Sequence, residues 1–88
     1  MSETTDESRA PAGVTFFWRP GCGFCTRLRA GLEQAGVALD ERNIWEDPDA
    51  AAFVRSVARG NETVPTVVAR GSALVNPSAA EVLARLAD

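Results

Sequence analysis

The sequence contains no histidine, no lysine and no tyrosine, and its nine basic residues are all arginine. Without an imidazole there is no Cys–His or Ser–His dyad and no histidine-ligated metal. Without lysine there is no Schiff base and no Walker-type phosphate loop. Long hydrophobic runs are also missing, since none reaches the ~18 residues of a membrane span. Residues 1–12 lack the basic start and apolar middle of a signal peptide. Basic charge is scarce too: twelve acidic residues outnumber nine arginines, for a net charge of −3. A nucleic-acid binder would carry a basic stripe instead. Thiols, carboxylates, hydroxyls and backbone remain to do any chemistry. The exclusions predict a cytoplasmic protein whose partners are neither nucleic acid nor membrane.

What is present fits one small domain. The chain has 88 residues, 45% of them hydrophobic and 24% charged. A chain of that size buries roughly 60–65% of its unfolded surface, enough for one modest core. Residues 1–12 read as a disordered acidic tail, and residues 13–88 as the domain. Val14 to Trp18 is a β-branched and aromatic run, hence a buried strand, and Arg19-Pro20-Gly21 breaks it. A helical pattern begins at Gly23, with Phe24, Leu28, Leu32 and Ala35 on one face and an Arg29–Glu33 pair outside. Gly36 is placed to stop it. Val37 to Ile44 reads as a second strand. Asp47 and Pro48 then suit the N-cap and first position of a second helix running to Arg59, with Phe53 and Val57 inward. Pro65–Ala69 and Ser72–Val75 form a hairpin around Arg70-Gly71. Asn76-Pro77-Ser78 opens a last helix, where Ser78 and Glu81 fit a capping box. The order is β-α-β-α-β-β-α, with the first two strands parallel through a right-handed crossover. This is an α/β chain, a four-stranded mixed sheet flanked by three helices.

The two cysteines stand together as Cys22-Gly23-Phe24-Cys25. They fall where the first strand turns into the first helix. Unpaired backbone N–H groups and the helix dipole favour negative charge at Cys22, which lowers a thiol pKa. Arg19, Arg27 and Arg29 add positive potential from nearby in sequence. Cys22 is therefore the predicted nucleophile. Cys25 is the resolving thiol, one helical turn away and more buried. Two other readings stay open at this point: half of a zinc site completed by a second chain, or two inert core cysteines. A second constellation is Thr63-Val64-Pro65. On its own it is a loop proline leading into a strand. A cis Val64–Pro65 bond would turn the N–H and C=O of Val64 toward the thiols, where they could pair with an extended substrate segment.

With both constellations at these spacings, residues 13–87 resemble the glutaredoxins of the thioredoxin-fold superfamily. Cys22-Gly23-Phe24-Cys25 and Thr63-Val64-Pro65-Thr66 carry the likeness. Within that family the chain is most similar to the mycoredoxins of actinobacteria, through the runs Gly60 to Val67 and Asn76-Pro77-Ser78-Ala79. It departs in three places. Asn76-Pro77-Ser78 stands where glutathione-using members often have Gly-Gly. Ala51 and Ala52 stand near where those members carry a Gln or a basic residue. Gly21 stands where mycoredoxins usually have Trp.

The resemblance implies a thioredoxin/glutaredoxin fold and a thiol–disulfide oxidoreductase. Its substrates would be mycothiolated proteins, with mycothiol rather than glutathione as co-substrate, no metal, and a monomeric chain. Cys22 and Cys25 would be catalytic. Arg19, Phe24, Thr63, Val64 and Pro65 would bind the small thiol, and Trp18 would flank the site from the core. The same resemblance leaves two alternatives: a module that binds or carries an iron–sulfur cluster, and a thioredoxin-like electron donor.

Overall fold

The computed structural model describes residues 13–87. The predicted acidic tail lies outside the described residues. The elements follow the expected order: β1 (Gly13–Trp18), α1 (Gly23–Gln34), β2 (Ala38–Asn43), α2 (Pro48–Val57), β3 (Thr66–Ala69), β4 (Ser72–Val75) and α3 (Ala79–Ala87). They form one four-stranded sheet in the order β2-β1-β3-β4. β1 runs parallel to β2 and antiparallel to β3, and β3 and β4 make an antiparallel hairpin. The hairpin turn has positive φ at both Arg70 and Gly71, as a type I′ turn requires.

Strand alternation sends side chains to two cores. Val14 and Phe16 of β1 and Val67 and Ala69 of β3 pack with Cys25, Leu28 and Leu32 of α1 and Val82 of α3. Phe17 points the other way and packs with Ile44 and with Ala50, Ala51 and Val54 of α2. Helices α1 and α3 therefore cover one face of the sheet and α2 the other. Gly31 lets the first pair approach closely, since a Cβ there would stand 3.1 Å from the Cβ of Ala79.

The helix ends follow local chemistry. Asp47 Oδ1 accepts the N–H groups of Asp49 and Ala50, each at 3.1 Å, with Pro48 in the first helical position. Ser78 and Glu81 form the reciprocal capping box: the Glu81 N–H donates to Ser78 Oγ at 3.1 Å, and the Ser78 N–H donates to Glu81 Oε1 at 2.8 Å. At the end of α1 the Gly36 N–H donates to the Glu33 carbonyl and the Val37 N–H to the Leu32 carbonyl. That pair of bonds is a Schellman motif, and Gly36 supplies its left-handed residue at φ +80°.

Several expectations need correction. The inward face of α1 is Cys25, Leu28 and Leu32, whereas Phe24 and Ala35 are exposed. The helix is phased by the buried cysteine, and Phe24 lies one residue off that stripe. Arg29 pairs not with Glu33 but with Glu41 on β2, at 3.1 Å, and its guanidinium also lies over the rings of Phe16 and Trp18. A partner across the structure, together with aromatic surface, outcompetes a helical neighbour. Helix α2 stops at Val57, two residues early, with Ala50, Ala51 and Val54 facing inward; Phe53 and Val57 are only half-buried. Phe53 does turn inward as expected, at the margin of the α2 core, where it stacks on Phe17 with ring centroids 5.0 Å apart. Strand β2 is shorter than Val37–Ile44 because Val37 and Ile44 plug the two cores just beyond its ends. Strand β3 likewise begins at Thr66, not Pro65.

Candidate active site

The site is built where three segments leave one edge of the sheet. β1 ends at Trp18 and turns through Arg19-Pro20-Gly21 into α1. Gly21 takes φ +78°, a conformation a tryptophan would enter only under strain. β2 ends beside β1, with Asn43 opposite Trp18. β3 starts at the same edge, where Thr66 pairs with Phe17.

Cys22 is the N-cap of α1, in extended backbone conformation, and its sulfur accepts the Cys25 N–H at 3.1 Å. A sulfur thus fills the place that a serine or aspartate oxygen usually fills. The first turn of α1 holds no acidic residue, so nothing there offsets the positive end of the dipole. The Cys22 and Cys25 sulfurs are in disulfide contact, with Cα atoms 5.2 Å apart. Cys22 retains 9% of its surface and Cys25 only 1%, so the first cysteine is the one a substrate reaches.

Opposite the pair, the Val64–Pro65 bond is cis, and the Val64 carbonyl oxygen lies 3.9 Å from Cys22 Sγ. The loop is pinned on both sides. Thr66 Oγ1 donates to the Thr63 carbonyl at 2.8 Å, and the Asn76 N–H donates to the Pro65 carbonyl at 2.8 Å. Thr63 and Val64 are half-buried and Pro65 is buried.

The remaining predicted residues ring this centre. Phe24 is 65% exposed, with the Arg27 guanidinium 5.6 Å from its ring centroid. Arg19 is half-buried, donates to the Pro20 carbonyl at 3.2 Å, and lies 5.5 Å from the Trp45 ring centroid. Trp18 is half-buried against the α1 core. On one flank a groove of about 490 Å³ runs between α1 and the start of α3, lined by Phe24, Arg27, Leu28, Pro65, Pro77 and Ser78 among others. Among the described residues no cluster of three or more His, Cys, Asp or Glu is arranged to hold a metal ion. No helix among them is long and apolar enough to cross a membrane.

Sequence reasoning missed Trp45, Asn76 and the role of Arg27 at the groove. Asn76 enters through its backbone, which sequence does not advertise. Trp45 had a visible signal: a large aromatic in the run Asn43-Ile44-Trp45-Glu46-Asp47, two residues before the helix cap Asp47.

The glutaredoxin family model matches residues 14–74 of the chain. The chain belongs to the glutaredoxin family. This glutaredoxin is 49% identical over 76 residues to a Mycobacterium tuberculosis protein provisionally named a glutaredoxin, covering 85% of this chain and 90% of that one. It is 37% identical over 76 residues to Mycoredoxin 1 of Corynebacterium glutamicum, covering 85% of this chain and 94% of that one. Solved structures share its fold. The glutaredoxin-like NrdH-redoxin of Escherichia coli superposes with a TM-score of 0.70 at 22% identity, over 82% of this chain and 92% of that one. A glutaredoxin of Archaeoglobus fulgidus gives 0.64 at 21% identity, over 86% of each chain. The expected thioredoxin-like fold and family are thereby found. This glutaredoxin is a thiol–disulfide oxidoreductase, of a family that acts on thiol-modified proteins with a low-molecular-weight thiol as co-substrate.

Proposed function

We propose that this glutaredoxin reduces mixed disulfides between protein cysteines and mycothiol in the cytoplasm, using Cys22 as nucleophile. The observation that carries the chemistry is the Cys22 sulfur at the α1 N-cap, accepting the Cys25 N–H at 3.1 Å beside the Val64 carbonyl. A thiolate there keeps that hydrogen bond and gains the dipole, so it is populated without a separate base. That suits a chain with no histidine and no lysine. The choice of mycothiol draws on the 37% identity to a protein named Mycoredoxin 1 and on the absence of Gly-Gly before α3.

In the first step the Cys22 thiolate attacks the mycothiol sulfur of the mixed disulfide. The protein–mycothiol S–S bond breaks, the protein thiolate leaves and takes a proton, and Cys22 becomes disulfide-bonded to mycothiol. A second mycothiol thiolate then attacks the bound mycothiol sulfur. It releases mycothiol disulfide and restores Cys22. Alternatively the Cys25 thiolate attacks the Cys22 sulfur, expels mycothiol and closes the Cys22–Cys25 disulfide. Two electrons from a reductant then reopen it. Thr63, Val64 and Pro65 form the wall against which the cysteine of the small thiol lies. Phe24 and Arg19 flank it.

The test is the turnover of one peptide carrying either a mycothiol or a glutathione mixed disulfide. Wild type is expected to prefer the first. Cys25→Ser keeps mycothiol-driven turnover and Cys22→Ser loses it. Full activity in Cys22→Ser, or a wild-type preference for glutathione, sinks the reading.

A further inference from the structure

Three large apolar side chains stand exposed among the described residues: Phe24, Trp45 and Val75. All three lie at the edge of the sheet that holds Cys22. Phe24 sits between the cysteines, and Val75 pairs with Thr66 at the start of β3. Trp45 follows Asn43, which lies opposite Trp18. The disulfide chemistry makes no use of Trp45. Yet the side chain is 63% exposed on backbone that is tied down at every residue. Its own N–H donates to Asn43 Oδ1 at 2.9 Å. The Ile44 N–H donates to the Trp18 carbonyl at 2.9 Å, and the Glu46 and Asp47 N–H groups reach the Asn43 carbonyl at 3.1 and 3.0 Å. Ile44 before it is buried, and Asp47 after it caps α2.

Arg19 joins this indole to the active site. Its guanidinium lies 5.5 Å from the Trp45 ring centroid, and its Cα is three residues from that of Cys22, a span of at most about 11 Å. A flat aromatic with open surface, beside a guanidinium with unused donors, is suited to a ring that offers C–H groups on one face and hydroxyls at its rim. Direction agrees as well. A cysteine paired antiparallel to Val64 runs its carbonyl side away from Pro65 and its N-acyl side toward Pro65 and the α1–α3 groove. In mycothiol the sugar is attached through that carbonyl.

We propose that Trp45, with Arg19 stacked on it, is the sugar-binding platform of this site. It takes the neutral glucosaminyl-inositol part of mycothiol, while Cys22 and Val64 engage the cysteine part. The inference rests on the mycothiol reading above and adds the residue that makes the thiol selective.

The experiment compares one peptide disulfide-linked either to mycothiol or to N-acetylcysteine methylamide, which carries the same cysteine without the sugar. The readout is the ratio of the two kcat/KM values. In Trp45→Ala this ratio is expected to fall about tenfold, the scale of one aromatic contact. In Trp45→Phe it returns to within about twofold of wild type. An unchanged ratio in Trp45→Ala overturns the platform, as does a loss of equal size on both substrates. A wild-type ratio near one likewise overturns the platform, whereas the mycothiol reading itself falls only if the wild type prefers the glutathione mixed disulfide.

Discussion

Helices α1 and α2 both begin at the same edge of the sheet, one after each of the parallel strands, and their first turns are filled differently. In α2 the cap is a carboxylate: Asp47 Oδ1 takes two backbone N–H groups, and Asp49 adds a second negative charge. In α1 the cap is a sulfur, it takes one N–H, and no acidic residue follows. The dipole of α2 is already compensated, so that helix end serves stability alone. The dipole of α1 is left for the charge that Cys22 acquires on losing its proton. One physical device thus holds the fold at one site and, in the proposed reaction, prepares a nucleophile at the other.

Removing the sulfur should break this contrast most severely. Cys22→Ser and Cys22→Ala are both expected to reduce turnover of a mixed disulfide to background, a loss of at least about 10³-fold. The two should nevertheless differ in stability. Serine still caps α1 and alanine does not, so urea unfolding should place Cys22→Ser about 1 kcal/mol above Cys22→Ala. Equal stabilities would show that the Cys22 position does not act as a cap.

Giving α1 the charge that α2 already carries is the next test. Gly23 has open space at its Cβ, so Gly23→Asp fits without a clash. A carboxylate in that turn competes for the dipole and disfavours the thiolate by roughly 1 kcal/mol. The attack rate at neutral pH should fall about fivefold. The acid limb of the pH–rate profile should move to higher pH, because the thiolate then forms at higher pH. Rates from single-turnover mixing across pH 5–9 check both signs.

The converse change strips α2 of its cap. Asp47→Ala should cost about 1 kcal/mol, which lowers the melting temperature by roughly 4–8 °C in a domain of this size. The smallest expected effect is at α3. Glu81→Ala removes one half of the capping box and should cost about 0.5 kcal/mol. A larger loss there would mean that the start of α3, on the rim of the groove, contributes more than its own helix end.

The parts of this molecule that follow from neighbouring residues could be read from the chain. Asp47-Pro48, Ser78 with Glu81, and Gly36 each mark a helix end by what they do to adjacent backbone, and each stands where expected. The Cys22–Cys25 spacing and the Val64–Pro65 turn were legible for the same reason, aided by a family likeness over most of the chain. What could not be read depends on contacts between distant segments. Arg29 meets Glu41 and two aromatic rings only after β1 and β2 pair. The inward stripe of α1 runs Cys25, Leu28 and Leu32, and its phase is set by how the helix docks on β1, β3 and α3. Trp45 was passed over because its meaning comes from Arg19, 26 positions earlier in the chain.

Strand β2 has one unpaired side, since it bonds only to β1. It carries Asp40-Glu41-Arg42 along its length, with Arg42 bonded to Asp40 at 2.9 Å and Arg29 to Glu41 at 3.1 Å. The hydrogen bond from Arg42 to Asp40, followed by the attraction of the two charges, raises the guanidinium pKa above its ordinary value. A second chain adding a strand there would have to strip water from these groups. The proposed reaction asks the opposite of Val64, whose backbone must welcome an extended stranger. The charged side of β2 therefore turns a further strand away, while the backbone of Val64, on the loop before β3, is kept for one.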